Sequence, residues 1–330
     1  MEITLQILLL VVGFIILIKG ADWLIDGASS TASHFKVSKL LIGLTIVAFG
    51  TGAPELAVSI SSLINGTTDM LLGNVIGSNI LNILLLIGIG ALIRPIRIKK
   101  GTVSKELPLL LLISTVLVVL FLDVFLINSE ANTISRADGI ICLLCFAIFL
   151  YYIFSTARKN RKEIKRSKNK SVEEPKFKLS MSLLLIVIGL VGVVGGAELV
   201  VSSASTIAKA IGITDRIIAL TVVAFGTSLP ELITTIKAAK RGETGLLVGN
   251  IIGSNIFNIC IVLGLPVALF GTVTPESFEM LDIVMLIGST VILLITAHTG
   301  HKITRLEGLL MLTLFAIYYS YIIIGALTII

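Results

Sequence analysis

The sequence predicts an all-α membrane protein of ten transmembrane helices, arranged as two inverted-topology five-helix repeats. Three observations carry that expectation: an apolar composition, a lopsided distribution of basic residues, and an internal duplication in fixed register. Of the 330 residues 55% are hydrophobic and only 14% charged, against roughly 25% charged in an ordinary soluble domain. The mean hydropathy is +1.05. A soluble fold of this length would lack the polar surface to stay wetted. Apolar runs of about 20 residues recur instead, each long enough to cross a hydrocarbon core of ~30 Å.

Ten spans follow from these runs, at about 3–22, 38–64, 69–93, 107–127, 137–157, 179–208, 214–238, 244–270, 279–298 and 306–327. The first follows Glu2 without a basic leader or a small-residue cleavage site, so it reads as a retained helix. Residues 158–178 (RKNRKEIKRSKNKSVEEPKFK) hold ten of the 26 Lys and Arg. They form a basic linker between a first five-helix repeat, 1–157, and a second, 179–330. Placing that linker in the cytoplasm puts 22 of the 26 basic residues on cytoplasmic connections and three on outer ones. This is the positive-inside distribution of a multi-pass protein of the cell membrane, here with both termini extracellular. It accounts for the pI near 9.2 without a nucleic-acid partner. Cys142, Cys145 and Cys260 all lie inside apolar runs; the Cys142-x-x-Cys145 spacing reads as two buried helix residues, not a redox pair.

The duplication appears when the sequence slides by 176 residues. Leu44–Gly88 and Leu220–Gly264 align without gaps, with 24 of 45 positions identical. Upstream, Gly20-Ala21-Asp22 matches Gly196-Ala197-Glu198. Each half has an odd number of spans, so the second copy enters the membrane from the opposite side. Inverted repeats of this kind typify secondary transporters, with the substrate held at the repeat interface near the midplane.

The most similar segment is also the most polar. Glu55 and Glu231 occupy matching places, and a charge at bilayer depth costs at least ~2.5–3.5 kcal/mol. A bound cation would offset that cost and the repulsion between the pair. Pro54 and Pro230 precede them, behind Gly50-Thr51-Gly52 and Gly226-Thr227-Ser228. Proline removes a helix hydrogen bond, so both helices should break here and turn backbone oxygens inward. Gly73–Asn82 and Gly249–Asn258 share the pattern Gly-Asn-x-Ile-Gly-Ser-Asn-Ile-x-Asn. In it Ser78 and Asn82, and likewise Ser254 and Asn258, share a helix face as neutral oxygen ligands. Asn74, Asn79, Asn250 and Asn255 read as interhelical hydrogen-bonding residues. The glycines of the pattern allow close helix approach. A set of hard oxygens without Cys or His suits Ca2+ or Na+ and excludes a typical zinc or copper site. Asp22, Asp26 and Glu198 lie toward span ends and read as headgroup-level residues. His34, His298 and His301 fall at helix ends.

At these residues the chain resembles the calcium/cation antiporter superfamily, in its sodium/calcium exchanger branch of prokaryotic and archaeal type. The paired Gly50-Thr51-x-x-Pro54-Glu55 and Gly226-Thr227-Ser228-x-Pro230-Glu231 motifs look like that family's alpha repeats. The resemblance implies exchange of one Ca2+ for several Na+ by alternating access. It implies Ca2+ between Glu55 and Glu231 with backbone oxygens of Thr51 and Thr227. It implies Na+ at flanking sites made by Ala48, Ser78, Ala224, Ser228 and Ser254 with the glutamates, and Asn82 and Asn258 lining the centre. It also implies that spans one and six slide against the other eight. Many relatives have a serine at the position of Gly52 and an aspartate at that of Asn258, so this centre carries two carboxylates, not three. The linker is too short for a Ca2+-sensing domain.

The expected partners are therefore the two ions and the lipid bilayer, with no cofactor and no obligate protein partner. A proton-coupled Ca2+ antiporter is the near alternative, although an acidic residue usual after the Gly-Asn motif of that branch is missing. An inverted repeat argues against a cation channel. An enzyme lacks a nucleophile, a metal-ligating histidine or a substrate motif to accompany the glutamates.

Overall fold

The computed structural model describes residues 2–127, 131–166, 174–210, 224–274 and 280–328, with the side chains of 2, 127, 160–166, 224 and 325–328 left aside. It is helical nearly throughout. Helix α1 (Glu2–Phe35) leads into a broken span of α2 (Lys39–Ile42), a π-helical turn Gly43–Val47, α3 (Ala48–Thr51) and, past Gly52, α4 (Ala53–Ile64). The next span joins α5 (Thr68–Leu81), a π segment Asn82–Ile87 and α6 (Gly88–Ile93). Strand β1 (Ile96–Arg97) precedes α7 (Lys100–Ser104), α8 (Glu106–Phe121), α9 (Asp123–Ile127) and α10 (Arg136–Arg166). The second half comprises α11 (Leu179–Ala210), α12 (Ala224–Thr227), α13 (Leu229–Arg241), α14 (Thr244–Phe257), a π segment Asn258–Leu263 and α15 (Gly264–Phe270). It ends with α16 (Met280–His298), β2 (Lys302–Ile303) and α17 (Arg305–Thr328).

Among the described residues eight helical stretches are long and apolar enough to cross a membrane, or nine with the bent pair Lys39–Thr51 and Ala53–Ile64, whose halves meet at 44°. The start of the expected span 214–238 lies outside the described residues. The spans that carry the Gly-Asn-x-Ile-Gly-Ser-Asn motif are innermost: 94% of the apolar window of Thr244–Phe270 is buried and 72% of that of Thr68–Ile93, against 17% for α1 and for α10. The outer helices turn Leu8, Ile15, Leu144, Ile148 and Ile317 outward, as a lipid-facing surface requires.

Two helices run past the spans read from sequence. Helix α1 continues to Phe35 instead of ending near residue 22, because its acids are partnered. Asp22 pairs with Lys237 at 2.9 Å and Arg241 at 2.7 Å; Asp26 pairs with Arg241 at 3.0 Å and Lys176 at 3.2 Å. Helix α10 carries on to Arg166, so the basic linker begins as a helical extension. Its far end is fastened to α1: the Phe177 carbonyl lies 2.7 Å from His34 Nε2, and the Phe177 N–H donates to Ser30 Oγ at 3.2 Å. The span expected at 107–127 is interrupted at Leu122.

Local structure repeats along with the sequence. Gly66 and Gly242, which are 176 apart, both adopt φ +72° and end α4 and α13 with the same cap. Gly66 N–H donates to Leu63 O and Thr67 N–H to Ser62 O; Gly242 N–H donates to Ala239 O and Glu243 N–H to Ala238 O. The π segments start at the equivalent Asn82 and Asn258. The matched acids Glu106 and Asp282 each accept a tyrosine hydroxyl from a following helix, Tyr152 and Tyr318 respectively. Strands β1 and β2 pair antiparallel through Ile96↔Ile303 and Arg97↔Lys302, and an isolated bridge joins Ile134 to Val273.

The most extensive helix contact is between α1 and α11. A Cβ added at Gly20 would stand 2.6 Å from Val193 N, and one at Gly196 would stand 2.6 Å from Leu17 N. Backbone faces backbone there, as in small-residue helix interfaces in membranes. Gly20→Val should therefore force the two helices apart, at a cost of about 1–3 kcal/mol. A lowered thermal midpoint in detergent, with Gly195→Val as a nearby control, checks this.

Candidate functional site

Each central glutamate sits at the start of a half-helix. Gly52 (φ −79°, ψ 3°) and Ser228 (φ −89°, ψ 3°) leave helical geometry in the same way, and each is followed at once by a new helix with proline in its first turn. Proline tolerates that position because a first-turn N–H would be unpaired anyway. Its missing N–H leaves the carbonyls of Gly50 and Gly226 without their i+4 donor. The break expected at both motifs is therefore present and equivalent. The carboxylates fall in the first turns of α4 and α13, where the positive end of a helix favours a negative charge.

The two halves meet crosswise. Helix α4, carrying Glu55, packs against the π segment that begins at Asn258; α13, carrying Glu231, packs against the π segment that begins at Asn82. Helix α3 packs on α14 and α13. Insertions of π geometry loosen the regular backbone bonding and are frequent at functional sites. Nothing in the amino-acid pattern distinguished these π segments from ordinary helix. The only hint is that both begin at the last asparagine of the repeated motif.

Glu55 and Glu231 are buried, at 2% and 1% exposure. Among the described residues neither forms an ion pair. Ser228 Oγ donates to Glu55 Oε1 across the repeat boundary at 3.4 Å, and the Thr51 hydroxyl lies in hydrogen-bond reach of Glu231. Among the described residues the second oxygens, Glu55 Oε2 and Glu231 Oε2, accept no hydrogen bond; nor do Asn82 Oδ1 and Asn258 Oδ1, and Ser254 Oγ has no partner. Buried acceptors are ordinarily satisfied. A group of unsatisfied oxygens on elements that pack together, two of them carboxylate, has the donor chemistry of a hard-cation site.

The other expected ligands divide by environment. Thr51 and Ser228 are buried, Ser78 is 5% exposed, and Thr227 is half-buried with its own polar partner. The Ala48 carbonyl already accepts the Gly52 N–H at 3.0 Å and lies 3.5 Å from Thr51 Oγ1, so it is less free than a bare backbone ligand. Ala224 opens the described turn of α12.

The remaining asparagines serve as a scaffold. Asn74 Nδ2 donates to Glu55 O and to Ser59 Oγ, both at 3.1 Å. Thr51 Oγ1 donates to Asn250 Oδ1 at 3.4 Å. Asn82 Nδ2 donates to Asn255 Oδ1 at 3.0 Å, and Asn255 Nδ2 donates to Asn79 O at 3.2 Å. Asn255 thus ties the two polar helices together and holds the Asn82 amide with its free oxygen unspent. The glycines of α14 permit close approach to the broken span instead: a Cβ at Gly249 would meet Leu40 O at 2.3 Å and one at Gly253 would meet Leu44 O at 2.6 Å, whereas Gly73 and Gly77 face open space. Sequence reasoning left out Ser59, whose repeat mate is Thr235; both are fully buried. Their shared register was the available signal.

Comparison with known proteins agrees with this architecture. The sodium/calcium exchanger protein family model matches residues 5–155 and 181–324. The putative antiporter CaxA of Alkalimonas amylolytica is 37% identical over 319 residues, 96% of this chain and 97% of the relative. The sodium/calcium exchanger MaX1 of Methanosarcina acetivorans is 31% identical over 343 residues, 96% and 98% of the two chains. Among solved structures, the sodium-calcium exchanger NCX_Mj superposes with a TM-score of 0.80 at 34% identity, covering 96% of this chain and 99% of its own. With nearly its whole length matched, this multi-pass membrane protein belongs to the sodium/calcium exchanger family.

Proposed function

We propose that the chain is a secondary active antiporter that exchanges Na+ for Ca2+ across the membrane by alternating access. In this reading Ca2+ is held between Glu55 and Glu231 with backbone oxygens of Thr51 and Thr227. Na+ uses flanking positions drawn from Ala48, Ser78, Ala224, Ser228 and Ser254, and Asn82 and Asn258 line the centre. The observation that carries it is the pair of buried carboxylates, each with one oxygen that no group among the described residues engages. A protein that buried these charges for its own stability would partner them; a transporter leaves the partner to be its cargo. Both ions are substrates here, and no resident cofactor enters the cycle.

The same proposal takes the duplicated halves, 1–157 and 179–330, as inverted five-helix repeats giving ten spans, with the linker 158–178 cytoplasmic and both termini outside. It is supported by the odd number of expected spans per half and by the basic-residue distribution. Helices α1 and α11, packed on each other through glycines, are the pair that slides against the rest.

Proteoliposomes loaded with Na+ should accumulate external Ca2+ when an outward Na+ gradient is imposed, and a pH gradient alone should not drive uptake. Uptake that follows the pH gradient and ignores Na+ would assign the chain to proton coupling. Glu55→Gln and Glu231→Gln should each abolish Ca2+ binding by calorimetry, while Asp22→Asn, outside the centre, should bind nearly normally. Unchanged affinity in both glutamate variants contradicts the site. Asn255→Leu separates scaffold from ligand. It strands the Asn82 amide N–H, at about 1–3 kcal/mol, and should appear as a lower thermal midpoint.

A further inference from the structure

We infer that the cavity where α1, α2, β1, α7 and α14 converge is a binding site for a phosphate group, supplied by a phosphomonoester lipid headgroup or by free phosphate. The site lies apart from the buried glutamates, and its occupancy does not depend on which ions they carry.

The cavity measures about 420 Å3. Lys36 reaches it from the end of α1, Lys39 from α2, Arg97 from β1 and Lys99 from the cap of α7. Among the described residues the one acid lining the same space is Glu243, which pairs with Lys39 at 2.9 Å. Lys36, Arg97 and Lys99 form no ion pair among the described residues. Cations gathered around one cavity repel each other until an anion enters.

Two further groups call for an anion with several oxygens. Thr102 lines the cavity and is 2% exposed, yet its hydroxyl has no hydrogen-bond partner among the described residues. Helix α14 starts there too, with Thr244 and Gly245 in the wall. Its cap residue Glu243 makes no side-chain bond to that first turn, because the carboxylate is turned to Lys39. The leading N–H groups of α14 are therefore uncapped at the positive end of the helix. An open helix start joined by convergent basic side chains supplies the donors that phosphate takes. A carboxylate presents two oxygens in one plane. Donors arriving from α1, β1, α7 and α14 surround a tetrahedral group better. Basic pockets between membrane helices hold lipid headgroups in the same way.

Lys36 is placed at a conformational cost. It closes α1 in left-handed geometry, φ 54°, with its N–H donating to Ser33 O and the Val37 N–H donating to Ala32 O. That cap position favours glycine, and the matching residue of the second half is Gly212. The residues matching Lys39, Arg97 and Lys99 are Asp215, Val273 and Pro275. The duplicated sequence thus keeps none of these charges. A basic excess on one side of a membrane protein sets how many lysines lie there. It does not require one in left-handed backbone, directed with three other cations at a single cavity.

The test uses the full chain, purified in neutral detergent and stripped of native lipid. In one arm radiolabelled inorganic phosphate is titrated by equilibrium dialysis. In the other, phosphatidate is added to the micelles and the lipid retained is counted by native mass spectrometry. The expected result is saturable binding of one phosphate group per chain in at least one arm. Saturation by inorganic phosphate assigns the site to free phosphate; retention of phosphatidate alone assigns it to a headgroup. No saturable binding in either arm overturns the inference. Lys36→Gly should weaken binding at least tenfold while raising the thermal midpoint of the anion-free protein, since glycine relieves the left-handed backbone. Thr102→Val should weaken binding by a smaller factor. Lys240→Gln, at an exposed base near the same end but outside the cavity, should bind as the parent does. Unchanged binding in Lys36→Gly, or an equal loss in Lys240→Gln, overturns the site.

Discussion

Two carboxylates of like charge buried in a low-dielectric interior set the terms for the rest of this structure. Glu55 and Glu231 are each nearly inaccessible, and among the described residues no lysine or arginine reaches either one. The protein offers them dipoles only. Each sits in the first turn of a half-helix, each has one weak hydroxyl contact, and the amides of Asn74 and Asn250 hold the adjacent backbone and Thr51 in place. Those dipoles soften the penalty without cancelling the charge. The breaks at Gly52 and Ser228, the prolines behind them and the π segments opposite are all ways of bringing oxygen to one point without a protein cation. A lysine placed there would stabilise the fold and remove any reason for a divalent ion to enter.

Much of this was legible in the sequence because the duplication is ungapped. Comparing positions 176 apart picks out Glu55 with Glu231 and Asn82 with Asn258, and the proline–glycine turns require the break that the structure contains. The geometry that depends on non-local packing was not legible. Helix α1 runs 34 residues because its acids meet Lys237 and Arg241, residues more than two hundred positions away. The π segments consist of Ile, Leu, Val and Cys after an asparagine, a pattern that also fits a regular helix. Gly52 looks like a simple loss of a hydroxyl until the ring of Phe257 is seen in the space beside it.

The polar helices also solve a packing problem. Spans rich in Asn, Ser and Gly would be unstable against lipid, so Thr244–Phe270 and Thr68–Ile93 lie deep in the molecule while α1, α10 and α17 face outward. Asn255 fastens the two inner spans to each other by hydrogen bonds. The amides therefore have two roles: the nitrogens hold the inner spans together, and the oxygens of Asn82 and Asn258 remain unengaged.

The ion pairs that hold α1 to α13 have no counterpart 176 positions away among the described residues. Asp22 and Asp26 face Lys237 and Arg241, but the residues 176 positions from these four are Glu198, Ser202, Ser61 and Asn65, one acid and no base. There Asn65 merely donates to Ser61 at 3.3 Å. Partly exposed pairs of this kind contribute about 0.2–1 kcal/mol apiece, small alone but all on one side. The likeness of the two halves therefore stops short of these charges, and α1 can part from α13 only by giving up salt links for which the matched positions carry no basic residue.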